Sequence, residues 1–171
     1  GLSKSGMNYE IMSSQKVGPT IADDIKKDAI WSILFSLLVI FIYILIRFRK
    51  WQFSLGAVAA VFHDIIIVLS IFSFFYGILP FSLEIDQAFI AAALTIIGYS
   101  LNDTVVVFDR VREYMNNNKR KEVHEIMNGA LNSTLSRTIN TSLTTFFVLL
   151  IIFIFGGEVI RGFMFALMVG V

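Results

Sequence analysis

Apolar residues fall in long, nearly unbroken runs, without the one-sided or alternating pattern of a soluble fold. Four runs, over 29–46, 53–79, 88–108 and 139–155, are long enough, or nearly so, to cross a hydrocarbon core of about 30 Å at about 1.5 Å per residue as helices. A fifth covers 160–171; its twelve residues reach only about 18 Å, so it is expected to be the first part of a helix that the chain cuts short. Asn116, Asn117 and Asn118 read as a turn. Beyond them Val123, Ile126, Met127, Ala130 and Leu131 recur at helical spacing, predicting an amphipathic helix near 121–135 that lies along the membrane surface or on its neighbours. At the start, Val17, Gly18 and Pro19 break any helix, and Thr20 with Asp23 has the spacing of a capping box, so one helix is expected to run from there into the first span. The fold class is all-α: a transmembrane helix bundle over 20–171 behind a tail, 1–19, too short to fold alone.

Composition agrees. Apolar residues make up 56% of the 171 and charged ones 16%, against about a quarter charged in soluble domains. The few charges also orient the chain. Arg47, Arg49 and Lys50 fill the first loop, and Arg110, Arg112, Lys119, Arg120 and Lys121 the third, whereas the second holds Glu84 and Asp86 and no base. Basic loops stay in the cytoplasm, so loops one and three are inside, while loop two and the N-terminal tail are outside. A net charge of +1, spread over loops, argues against nucleic-acid binding. The start lacks both an initiator Met and a signal-peptide pattern, so Gly1 is expected to follow a removed or omitted region.

Polar residues inside the apolar runs are the candidate chemistry, because a charge at mid-bilayer costs about 2.5–3.5 kcal/mol on insertion scales. In the third run Thr95, Tyr99, Asn102, Asp103 and Arg110 share one face, and Ile97, Leu101, Val105 and Phe108 another. Asp103 lies roughly 24 Å from Gln87 along the helix, toward the cytoplasmic third. In the fourth, Ser133, Ser136, Arg137, Asn140, Thr141, Thr144 and Thr145 form a stripe suited to close helix approach, predicted to face the third helix and to pair Arg137 with Asp103. The second run carries His63 and Asp64 near the midplane; Gly56, Ala59 and Ala60 before them suggest a packed face with both polar groups turned inward. Each group has a plainer assignment. Asp103 and Arg137 could form a static ion pair, Arg137 could snorkel to lipid phosphates, His63 and Asp64 could hydrogen-bond across helices, and the hydroxyl stripe could be packing. Glu158 and Arg161, at i and i+3, read as a weak surface pair.

The stretch 98–113, GYSLNDTVVVFDRVRE, resembles the signature of the SecF branch of the SecD/SecF export family. Residues 135–145, LSRTINTSLTT, residues 155–163, FGGEVIRGF, and the pair His63 and Asp64 match it in the same order, so the likeness covers nearly everything after Val17. It implies a six-helix unit of the resistance–nodulation–division superfamily, of which this chain holds helices two to five, part of six, and, in 1–19, the tail of an extracytoplasmic domain. It further implies a bacterial cytoplasmic-membrane subunit that works with SecD, the translocon channel and accessory membrane subunits to couple proton flow to preprotein export. The family's proton-pathway aspartate and its partner arginine fall on Asp103 and Arg137. Asn102 and Thr141 stand in the same pathway, with His63, Asp64 and Tyr99 as secondary candidates. Protons, preproteins and membrane lipids are the implied partners, with no nucleic acid, no cofactor, no metal and no enzymatic activity.

Three rivals share parts of the pattern: a proton-driven exporter of small molecules or lipids from the same superfamily, an intramembrane aspartyl protease built on Asp64 and Asp103, and a passive scaffold whose polar groups only set helix register. The protease reading expects Tyr-Asp and Gly-x-Gly-Asp, but His63 precedes Asp64 and Asn102 precedes Asp103.

Overall fold

Proline stands at 19 and 80 and nowhere inside the apolar runs, so each run can close its backbone hydrogen bonds locally, as a chain in hydrocarbon must. The computed structural model describes residues 19–118 and 120–171, with side chains from residue 24 onward except 25, 26 and 119. The tail expected over 1–19 lies outside the described residues apart from Pro19, as does the capping contact between Thr20 and Asp23. Five helices follow in order: α1 (Pro19–Phe48), α2 (Trp51–Phe75), α3 (Gln87–Asn117), α4 (Val123–Phe155) and α5 (Glu158–Gly170). Parts of the first four, Lys27–Phe48, Trp51–Phe75, Gln87–Asn117 and Val123–Phe155, are long and apolar enough to cross a membrane.

Helix boundaries differ from the sequence expectation in three places. The second run stops at Phe75, where Tyr76 leaves the helix and Gly77 takes φ 74°, a left-handed turn suited to glycine. The third run and the start of loop three form one 31-residue helix. The amphipathic segment near 121–135 is not a separate surface helix but the first third of α4, which runs unbroken for 33 residues. The cause is packing: Ile126, Ala130 and Thr134 of α4 are buried on the side toward α3, whose Val111 is buried opposite, and no breaker lies between that face and the apolar run. Gly129 fits because its missing Cβ would come 2.9 Å from the Tyr114 ring.

α3 is the central helix, packing on α2, α4 and α5, while α1 lies behind α2. Three apolar clusters hold this arrangement. Phe72, Phe89, Ala92, Ile96 and Leu167 bind α2, α3 and α5 at the end bearing Glu84 and Asp86, called here the acidic end. There the α2–α3 loop folds over the bundle: Phe81 stacks edge-on against Phe153 and Phe165, with ring centroids 5.4 and 5.6 Å apart, and Asp86 caps α3 by accepting the Phe89 amide at 2.9 Å. Val61, Ile65 and Ile97 fill the middle. Ile44, Phe48 and Ala57 form the third cluster at the opposite, basic end, with Phe53 and Phe108 against them. The outer surface is as apolar as the core, with Trp31, Phe35, Ile46 and Phe74 each about 70% exposed. Large apolar side chains exposed on every long helix define a surface solvated by lipid.

Two substitutions test this packing in the full-length protein by thermal unfolding in detergent. A Cβ on Gly162 would lie 2.6 Å from the Ser82 carbonyl oxygen, so Gly162→Ala should destabilise by about 1–3 kcal/mol, the usual cost of overpacking; an unchanged melting temperature would show that the loop does not rest there. The buried Ser54 hydroxyl has no hydrogen-bond partner among the described residues, and such a group costs about 1–3 kcal/mol. Ser54→Ala should therefore leave stability unchanged or raise it.

Candidate functional site

Between α2, α3 and α4 lies a cavity of about 710 Å³ whose wall carries two carboxylates, Asp64 and Asp103. The wall follows from helical periodicity, since residues four apart stay on one face. α2 contributes Gly56, Ala60 and Asp64, and α3 contributes Tyr99, Ser100, Asp103 and Thr104. α4 contributes Thr134, Thr138 and Ser142, three hydroxyls at steps of four. Gly56 leaves room for the Phe108 ring, which a Cβ would meet at 3.4 Å.

The Ser100 hydroxyl donates to Asp64 Oδ2 at 2.6 Å and so joins α2 to α3. Asp64 Oδ1 lies 3.2 Å from Nδ1 of His63. The Tyr99 hydroxyl shares a hydrogen bond of 3.1 Å with Thr145 and joins α3 to α4. Asp103 is half-buried on the same wall. The Asp64–Ser100 and Tyr99–Thr145 pairs satisfy polar groups across helices where lipid could not.

The expected partner of Asp103 is elsewhere. Among the described residues Asp103 and Arg137 form no ion pair; those present are Arg47 with Asp109, His63 with Asp64, and Arg110 with Glu113. Arg137 lines a separate groove of about 420 Å³ with Ser133, Asp109, Arg110 and Glu113. The reason is angular: Arg137 and Thr138 are about 100° apart on the helix, so with Thr138 in the cavity Arg137 emerges on the other side of the α3–α4 seam. Asn102 is exposed, and Thr141 donates to the Arg137 carbonyl at 2.8 Å. The α3 face expected to hold Thr95, Tyr99, Asn102, Asp103 and Arg110 together is therefore divided, with Tyr99 and Asp103 in the cavity and Arg110 in the groove.

Two further expectations need correction. His63 does not turn inward with Asp64: its side chain is 70% exposed against 33% for Asp64, because successive helix residues point about 100° apart. Glu158 and Arg161 form no ion pair among the described residues.

Sequence reasoning passed over Ser100, Thr134, Thr138 and Ser142. The three hydroxyls of α4 were visible as a spacing of four, but they run one register from the stripe chosen. It also missed a link at the basic end. Arg47 of α1 pairs with Asp109 of α3 at 2.9 Å, Arg112 donates to the Arg47 carbonyl at 3.3 Å, and both guanidinium groups lie within 6 Å of the Phe48 ring centre, at 5.3 and 5.8 Å. The side chains of Arg47 and Asp109 are each 40% exposed, which limits the pair to about 1 kcal/mol or less where water reaches it.

Long apolar helices with an apolar outer surface, two of which carry carboxylates on the wall of one pocket, define a polytopic α-helical membrane protein. The chain belongs to the SecD/SecF family: the family described as "Protein export membrane protein SecD/SecF, C-terminal" matches residues 2–171. It is similar to the protein translocase subunit SecF of Rhodothermus marinus, 64% identical over 162 residues that make up 95% of this chain and 52% of that protein. Against the SecF of Rhodobacter capsulatus it is 44% identical over 162 residues, 95% of this chain and 46% of the relative. A solved structure described as SecDF in "Super-membrane-facing form" superimposes with a TM-score of 0.71 at 37% identity, covering 90% of this chain and 20% of that one. The chain spans about half the length of the curated relatives it matches.

The chain contains no cysteine, so single cysteines introduced here report on the cavity. In a full-length protein otherwise free of cysteine, Thr138→Cys should react with a small charged thiol reagent, while Leu143→Cys, on the exposed apolar face of α4, should not. Equal protection of both would show that the cavity is dry.

Proposed function

We propose that this region is the proton-responsive membrane part of a protein-export subunit. It sits in the bacterial cytoplasmic membrane with its basic end inside and its N-terminal side outside, and it works with SecD and the translocon to move preproteins outward. The single observation that carries this reading is Asp103, a half-buried carboxylate within a membrane-spanning helix that lines a pocket together with Asp64 and the hydroxyls of Ser100, Thr134, Thr138 and Ser142. An intramembrane carboxylate is expensive and marks a proton or ion path by default. The orientation rests on loop charge: Arg47, Arg49, Lys50, Arg110 and Arg112 cluster at one end, and Glu84, Asp86 and Glu158 at the other.

Binding of a proton by Asp103 removes a charge from one side of the α3–α4 seam, and Arg137 stands on the other side. The two helices then fit together differently, and the shift is transmitted outward. A proton crossing the full potential supplies about 2.3 kcal/mol per 100 mV, enough to move a two-state equilibrium about 50-fold. SecD is the partner this surface suits. Ser136, Arg137 and Asn140 are exposed on α4, where contacts with a second protein can satisfy polar groups and lipid cannot.

The test is Asp103→Asn in the full-length protein, assayed for proton-driven preprotein translocation in membrane vesicles. Translocation should fall to the level without a proton gradient while insertion and SecD binding persist. Full activity in this variant would remove Asp103 from the mechanism and leave the scaffold reading.

A further inference from the structure

The role proposed for Asp103 leaves a second carboxylate in the same cavity without a task. Asp64 sits on α2, and its Oδ2 accepts the Ser100 hydroxyl at 2.6 Å. Ser100 and Asp103 are one turn apart on α3, about 4.5 Å along the axis, and both line the cavity with Asp64. A water takes up about 30 Å³ in the liquid, so a space of about 710 Å³ has room for several, with Thr134, Thr138 and Ser142 to hydrogen-bond them.

Resting on the reading of Asp103 as a proton carrier, we propose that Asp64 is a second proton-binding carboxylate, which exchanges protons with Asp103 through the shared cavity and holds Ser100 by a weaker hydrogen bond when protonated. A proton leaves the Asp103 carboxyl group, passes along cavity water and lands on the Asp64 carboxylate; Asp103 returns to its ionised form, and the charge within the cavity is unchanged. Protonated Asp64 loses the charge that strengthens the Ser100 hydrogen bond, so the α2–α3 contact weakens as the α3–α4 seam resets. One proton thereby acts in turn on the two faces of α3.

The groups facing Asp64 are few. On α2 its neighbour His63 lies 3.2 Å away and is largely exposed. α3 brings Asp103 and Tyr99, α4 brings only hydroxyls and the Asn132 amide, and α5 brings Val169 and Gly170. α1, behind α2, packs through Ile33, Leu37 and Ile40.

Infrared difference spectroscopy between acid and neutral pH tests this in the full-length protein reconstituted with SecD. Among the carboxyl carbonyl bands that appear on acidification, one is expected to be lost in Asp103→Asn and a different one in Asp64→Asn. Asparagine still offers Ser100 an oxygen acceptor, so the fold is retained. Ser100→Ala should move the Asp64 band to higher frequency, because its carbonyl loses a hydrogen bond, and Ser100→Thr should restore it. Proton-driven translocation should fall about a hundredfold in Asp64→Asn, at the low end of what a proton-transfer group contributes. An unchanged difference spectrum in Asp64→Asn overturns the proposal even if translocation falls, since Asp64 would then be a structural tie. Full translocation in Asp103→Asn would instead overturn the underlying reading, and the Asp64 band would still be decided by its own variant.

Discussion

A carboxylate inside a hydrocarbon layer must be enclosed by protein, and much of this bundle is arranged around that requirement. Asp103 stands on α3, the helix that touches α2, α4 and α5. Its wall is completed by small and hydroxyl-bearing residues at steps of four on the two neighbours. Were α3 at the edge of the bundle, the same residue would face lipid and carry the insertion cost unrelieved. Apolar clusters at the two ends and in the middle hold the helices between which the polar groups lie.

The α3–α4 seam divides polar chemistry into two compartments. Tyr99, Asp103, Thr138 and Ser142 face inward, whereas Arg137, Asp109, Arg110 and Glu113 line a groove at the basic end. Asp103 and Arg137 thus lie on opposite sides of one helix pair instead of neutralising each other. The seam itself is tied by the bond between Tyr99 and Thr145 and by buried Thr134. Small residues and single hydrogen bonds are interactions that two helices can exchange for others at low cost.

The basic end is built differently. Arg47, Phe48, Asp109 and Arg112 tie α1 to α3 through one ion pair, one carbonyl contact and a shared aromatic ring, over a cluster of three phenylalanines. Arg49 closes α1 with φ 58°, a left-handed conformation that arginine adopts at some cost. Arginines that sequence alone marks as orientation signals therefore also fasten helices.

How much was legible follows from what one-dimensional spacing encodes. Length and apolarity determined the all-α class, the helix order and the presence of Asp64 and Asp103 within spans, because a chain in lipid has little alternative to helix. The GYSLNDTVVVFDRVRE stretch carried the family. Tertiary structure alone decided rotation about each axis: whether Arg137 or Thr138 meets the Asp103 cavity, whether His63 or Asp64 points inward, and whether 121–135 lies on a surface or continues α4. A helix shows all its faces equally in sequence, and a turn of about 100° per residue means that the packing of Ala57, Ile97 and Ala130 against their neighbours, and not spacing, selects which polar groups meet.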